Sequence, residues 1–305
     1  MPGTEPPAIE ARGLSKTYPS GVRALVGLDL AVARGEVFGY LGPNGAGKST
    51  TIRLLLDLIR PTAGSAAIAG LDTRRDGVEA RRRIGYLPGD LRLNDRLTGR
   101  EQLDSLARLR GGADRATTDD LVRRFECVLD RPIHELSKGN RQKLGLVQAF
   151  MHRPEVLILD EPTSGLDPLN QEEFRGLARE TAAEGRTVFL SSHSLEEVQR
   201  IADRVGIIRN GRLIDVDSVA SLRERSLRQV EIRFREPVEP SVFTTVDGVR
   251  VRSADGSTVR LAAPETAMDA IVKEAARHRI ADFVSEPADL EEIFLELYRE
   301  NDGGG

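Results

Sequence analysis

Cysteine is almost absent from this 305-residue chain: Cys127 stands alone, so no disulfide can form within it. The opening MPGTEPPAIE has neither the charged start nor the apolar core of a signal peptide, and the expectation is a cytosolic chain. No apolar run reaches the roughly 20 residues needed to cross a bilayer, so a role at a membrane has to come through a partner. An excess of positive charge is missing as well. A formal net charge of -4 and a pI near 5.8 argue against a general nucleic-acid binder, which presents a basic face. Lysine occurs only at 16, 48, 138, 143 and 273, and no internal repeat is visible.

What is present suffices for one large domain and a smaller one. Residues 1–7 are rich in Pro and Gly and are expected to be loose. From Ile9, short strands broken by Gly lead to a buried strand ending at Leu41. The period then changes. Ser49 to Ile59 reads as a helix stopped by Pro61, and Ile84 to Leu87 as a short strand. From Leu97 to Asp130 the pattern is helical throughout, with Thr98 and Glu101 spaced as a capping box and Thr117 or Thr118 opening a second helix. This places a helical subdomain at about 95–150. VLILD (156–160) and TVFLSS (187–192) are buried strands separated by a helix with Asp167 at its N-cap and Pro168 at N1. Ser194 and Glu197 cap a further helix, and Asn210-Gly211 turns a hairpin. Strands alternating with helices predict an α/β fold built on a parallel sheet, spanning 8–226. Beyond it, 227–299 reads as a small α+β domain: VEIRF, a hairpin over VRVRSADGSTVRLA, and amphipathic helices at Pro264–Arg279 and Asp289–Tyr298. Residues 300–305 are expected to be a disordered tail.

Two short stretches carry phosphate chemistry. GPNGAGKS matches G-x-x-x-x-G-K-[ST]: Gly42, Gly45 and Gly47 let the backbone wrap a phosphate, Lys48 reaches the β and γ phosphates, and Ser49 ligates Mg²⁺. The nucleotide-binding segment is then Gly42, Pro43, Asn44, Gly45, Ala46, Gly47, Lys48, Ser49 and Thr50. A strand before it and a helix after it supply the context that the motif requires. Asp160, at the end of VLILD, is placed to hold Mg²⁺, and Glu161 follows where a carboxylate polarises an attacking water. His193, after TVFLSS, stands at the carboxyl end of a parallel strand, where such sheets bind ligands, although a lone histidine is ordinarily structural. The second stretch is Ser137 to Gly139, a hydroxyl beside a glycine just before a helix. A chain with one P-loop has no evident phosphate for it.

The P-loop, LSKGN, LILDEPTSGLDP and SSH, in this order, resemble the nucleotide-binding subunit of an ABC transporter over residues 8 to 225. The resemblance implies a P-loop NTPase cassette with a parallel core, an antiparallel β subdomain and a helical subdomain, binding ATP and Mg²⁺. It implies a head-to-tail dimer, of this chain or with a homologous subunit, in which the signature Leu136, Ser137, Lys138, Gly139 and Asn140 of one chain closes on the γ-phosphate held by the other. Tyr18 would stack on adenine, Glu161 would be the general base, His193 the γ-phosphate sensor and Asp167 a contact across the dimer. Lys138 and Asn140 depart from the family's LSGGQ signature. A larger departure lies after IGYLP, where the family's glutamine is replaced by Gly89: either Asp90 or a water substitutes, or the coupling between nucleotide and partner runs differently.

The implied function is the ATPase subunit of an exporter, held on the inner face of the cell membrane by a separate integral permease. The tail SEPADLEEIFLELY resembles the appendage of drug and antibiotic exporter ATPases and favours export of a drug-like molecule. Arg81 to Arg83 read most simply as a solvated helix face, and otherwise as a contact to the transport partner. Two other classes compete. A soluble ABC ATPase acting on ribosomes or DNA would carry two cassettes or long heptads, which this chain lacks. A nucleotide-gated regulatory module without turnover would rest on Gly89, against the intact Lys48, Asp160 and Glu161.

Overall fold

The structure is a computed structural model that describes residues 5–112, 114–225 and 227–286. They fall into two compact units divided between Val216 and Asp217, ahead of the change in composition near residue 226. In the first unit, β1 (Ile9–Thr17) and β2 (Arg23–Val32) pair antiparallel and bury alternate side chains, among them Ile9, Ala11, Leu28 and Leu30. β3 (Val37–Leu41) is buried along its whole length and enters a different sheet. After α1 (Lys48–Leu55), β4 (Ala63–Ile68) and β5 (Leu71–Asp72) extend the antiparallel sheet in the order β2-β1-β4-β5. Neither added strand has a clear signal in the sequence, because AGSAAI offers small residues where strands favour branched ones.

The rest of the first unit builds the central sheet. α2 (Gly77–Arg82) leads into β6 (Ile84–Leu87), and α3 (Gly99–Leu109), α4 (Arg115–Arg124) and α5 (Lys138–Phe150) follow. β7 (Val156–Asp160), α6 (Pro168–Ala183), β8 (Thr187–Ser192), α7 (Leu195–Ile201), β9 (Arg204–Arg209) and β10 (Arg212–Ser218) complete it. The strand order is β10-β9-β3-β8-β7-β6, parallel from β9 to β6. β7 and β8 are buried end to end, which is why VLILD and TVFLSS are continuous apolar runs instead of alternating ones. The parallel register brings Leu41, Leu87, Asp160 and Ser192 to one edge, the carboxyl edge at which such sheets bind ligands.

Several helix ends differ from the sequence expectation for one reason. α1 stops at Leu55 and not Ile59, because Asp57 adopts φ +56° and closes the helix with Leu58 N–H on the Arg53 carbonyl (2.8 Å) and Asp57 N–H on that of Leu54 (3.0 Å). Glu126, at φ +50°, closes α4 in the same way through Cys127 N–H on Val122 O (2.9 Å), so the helical stretch expected to reach Asp130 ends at Arg124. α4 is opened by Asp114, whose carboxylate accepts from Ala116 and Thr117 N–H, and not by Thr117 or Thr118. The capping box of Thr98 and Glu101 is formed in full. Ser194 caps α7, but Glu197 accepts from Ser192 Oγ (2.8 Å) instead of returning to the cap.

The second unit opens with α8 (Val219–Arg225) and holds a four-stranded antiparallel sheet of β11 (Arg228–Phe234), β12 (Arg250–Asp255), β13 (Thr258–Ala263) and β14 (Ile280–Glu286), ordered β12-β13-β11-β14. α9 (Met268–Ala275) is shorter than Pro264–Arg279, since a 3-10 turn occupies Glu265–Ala267. Its Ile271 packs with Val230, Ile232, Phe243 and Leu261 in a core separate from that of the first unit. The helix expected at 289–298 and the tail at 300–305 lie outside the described residues.

Candidate nucleotide site

The loop between β3 and α1 turns on Gly47, whose φ of +114° excludes other residues and whose Cα approaches so closely that an added Cβ would meet the Ala24 carbonyl at 2.6 Å. The first turn of α1 therefore presents free N–H groups at the carboxyl edge of β3. Lys48 is only 6% exposed. Its ammonium donates to the carbonyls of Gly42 (2.6 Å) and Pro43 (3.3 Å) and lies 3.6 Å from Glu161 Oε1. A buried ammonium held by loop carbonyls can exchange them for phosphate oxygens at little cost, because it is already desolvated.

Ser49 Oγ donates to Asp160 Oδ2 at 2.9 Å, and Ser191 Oγ donates to Asp160 Oδ1 at 2.5 Å. These oxygens are the hard donors that Mg²⁺ selects when substrate phosphates and water supply the remaining ligands, so Ser49 and Asp160 fit that ion. Glu161 stands at φ +51°, a conformation rare outside glycine, pinned by its N–H on Ser191 O at 3.2 Å. Its carboxylate lies between two groups: Lys48 on one side and His193 Nδ1, at 2.9 Å, on the other. Strain of this kind persists only where the surroundings enforce it, and here it aims a carboxylate into the cleft.

Lys48, Ser49, Asp160 and Glu161 line a cleft of about 400 Å³ with Pro43, Asn44, Gly45 and Gly89, and His193 stands beside it through Glu161. Arg53 and Tyr86 also line it, and nothing in their sequence spacing announces them. Burial, and then the Asp160 charge, push the Tyr86 hydroxyl above its ordinary pKa. Gln142 is a further residue that spacing does not reveal: buried on α5, it donates to the carbonyls of Pro162 (2.9 Å) and Glu161 (3.3 Å) and ties the signature helix to the strained turn. Gly89 sits against Asp160, where a Cβ would meet Oδ2 at 3.1 Å. Asp90 also lines the cleft, but its carboxylate is 77% exposed and pairs with Arg92 at 2.9 Å.

The other expected residues stand apart from this cluster. Tyr18 OH is 3.5 Å from Thr50 Oγ1, with the Lys16 ammonium 5.3 Å from its ring centroid, so the ring borders the P-loop helix. Ser137 caps α5, its Oγ accepting from the Asn140 backbone N–H and from Asn140 Nδ2, each at 3.2 Å. Lys138 Nζ donates to Ser164 Oγ at 3.4 Å. None of Leu136 to Asn140 lines the cleft. Asp167 caps α6, and the hydrogen bonds from Asn170 hold its carboxyl below the usual carboxylate range.

Fold and site together define a P-loop nucleoside triphosphatase. The ABC transporter family model matches residues 25–164. The chain is 35% identical over 302 residues to the daunorubicin resistance ATP-binding protein DrrA3 of Streptomyces coeruleorubidus, with 95% of each chain covered. It is 34% identical over 304 residues to a fluoroquinolones export ATP-binding protein of Mycobacterium tuberculosis, covering 97% of this chain and 94% of that one. A solved ATP-binding subunit of an ABC transporter, 33% identical, matches with a TM-score of 0.66 over 71% of this chain and 92% of the other. The chain belongs to the ABC transporter family, among its ATP-binding subunits, and is an ATPase.

Proposed function

We propose that this ATPase powers an exporter of drug-like molecules, acting at the inner face of the cell membrane through a separate permease. Among the described residues no helix is long and apolar enough to cross a membrane, and in this reading a separate permease carries the cargo. The similarity to proteins named for daunorubicin resistance and fluoroquinolones export supports the class of cargo. ATP binds with its β and γ phosphates on the N–H groups of the P-loop and on Lys48, and Tyr18 borders the adenine. Ser49 and Asp160 would hold Mg²⁺, which would supply neutralisation of the phosphate charge there. Glu161 takes the proton of the attacking water, and His193, 2.9 Å from it, keeps that carboxylate oriented and faces the γ-phosphate. The Ser137 turn and Asp167 act across a head-to-tail dimer.

The observation that carries this reading is the placement of Glu161 between Lys48 and His193 at the carboxyl edge of the sheet. Glu161→Gln keeps the shape and the contacts to Lys48 and His193 but cannot accept the proton. The expected result is ATP binding near that of the parent with turnover lowered by about 100-fold or more, and loss of drug uptake into inverted vesicles holding the permease. Turnover equal to the parent's would remove Glu161 from the role of base. Vesicles in which ATP drives no drug uptake by the parent chain would remove the exporter reading and leave the ATPase intact.

A further inference from the structure

The His193 side chain is 62% exposed and meets Glu161 Oε2 at 2.9 Å. An exposed ring loses rotamer freedom when it is held on one partner, so the turn that carries it has to be fixed from behind. That turn lies between β8 and α7. Ser192, which precedes His193, is 1% exposed. Its Oγ donates to Glu197 Oε2 at 2.8 Å and accepts from the Ser194 N–H at 3.0 Å. Ser194 Oγ accepts in its turn from the Glu197 N–H at 3.3 Å. These bonds run round the turn from residue 192 to residue 197 and brace the backbone on both sides of His193. The Ser192 carbonyl also accepts from the Gly42 N–H at 3.3 Å, so the braced turn rests on the phosphate loop.

Glu197 is the acceptor that closes this ring. A capping box would aim its carboxylate at the Ser194 N–H. Here that N–H goes to Ser192 Oγ, and the carboxylate takes the proton of the same hydroxyl. Arg200, one turn further along α7, pairs with Glu196 and not with Glu197. The half-buried Glu197 is thus spent on a buried hydroxyl, in a charge-assisted bond stronger than a neutral one.

We propose that Glu197 is a positioning residue for ATP hydrolysis: by holding the Ser192 hydroxyl it fixes the turn that keeps His193 on Glu161. The inference rests on the assignment of His193 and Glu161 to the reaction. Removing the carboxylate frees the Ser192 hydroxyl and loosens the turn, and the ring then leaves Glu161. Lys48, Ser49 and the P-loop N–H groups stay as they are, and the Gly42 bond remains because it is made to backbone. The loss therefore falls on turnover and not on ATP binding.

The test compares the full chain with its Glu197→Ala, His193→Ala and doubly substituted forms, reading kcat and KM for ATP from phosphate release. Glu197→Ala should lower kcat by about tenfold and leave KM within about twofold of the parent's. In the His193→Ala background the same substitution should cost less than about twofold, because the group it positions is gone. Glu197→Gln keeps an oxygen that accepts from Ser192 and should recover most of the loss. Ser192→Ala removes the same bond from its other end and carries the test where Glu197→Ala fails to fold. Parent-like kcat for Glu197→Ala, or an undiminished loss on top of His193→Ala, would overturn the positioning role and leave His193 in the reaction. Parent-like turnover of His193→Ala would overturn the assignment beneath it as well.

Discussion

Gly89 is the residue at which this chain departs most from the family it belongs to, and its surroundings say what the absence of a side chain permits. A Cβ there would meet Asp160 Oδ2 at 3.1 Å and Cγ at 3.2 Å, so the loop rests directly on the carboxylate that receives Ser49. Gly89→Ala presses on that carboxylate, and displacements well under an ångström at reacting groups are costly. The expected outcome is a threefold to tenfold fall in turnover at limiting Mg²⁺, roughly, recovered in part at high Mg²⁺. Asp90→Ala should leave the Mg²⁺ titration of ATPase unchanged, since Asp90 pairs with Arg92 in solvent. A parent-like titration for Gly89→Ala would show that the loop yields freely. At this scale the sequence was legible where residue type dictates chemistry: Lys48, Ser49, Asp160, Glu161 and His193 converge as their types require. It was silent on Gln142, Arg53 and Tyr86, whose roles come from which elements pack together.

At the scale of elements, strands and helix starts were readable and helix ends were not. Buried parallel strands announce themselves as apolar runs, and Ser137, Asp167 and Thr98 carry the side chains that cap. The ends of α1 and α4 depend on Asp57 and Glu126 taking left-handed φ, which aspartate visits occasionally and glutamate rarely, so neither residue marks a helix end by its type. The seam between α5 and β6 has its own consequence. His152, just past α5, bonds the Ile84 carbonyl, and burial together with the nearby Arg110 charge lowers its pKa to about 4. A histidine depressed in the fold stays neutral while the unfolded chain, titrating near 6.5, already binds protons. Stability from this group is therefore complete above about pH 6.5 and is lost as pH falls toward 4. The loss is on the order of 1–2 kcal/mol once screening at a partly exposed site is discounted. Denaturant unfolding of the parent at pH 7 and pH 5 should show the fall, and His152→Leu should flatten it. An equal slope in both chains would assign the acid sensitivity elsewhere.

For the whole molecule, alternation of strands and helices was enough to predict the parallel sheet. A site shared between two copies of the chain is a different matter. The signature turn offers an exposed hydroxyl already accepting two hydrogen bonds from Asn140, which leaves its own proton free to donate outward, yet none of its residues lines the nucleotide cleft of the same chain. On the proposed reading, in which this turn serves the P-loop of another molecule, two-fold pairing of identical chains makes two composite sites. Ser137→Arg blocks the turn and Lys48→Ala disables the P-loop, so each variant alone should form dimers with two damaged sites and little activity. Mixed in equal amounts, half of the dimers carry one of each, and in those both defects fall on one site while the other is whole. Recovery of roughly a quarter of parent ATPase over the whole mixture is the expected result, measured after unfolding-free subunit exchange. Mixed dimers that form and hydrolyse no faster than either variant would place the signature in the same chain's site.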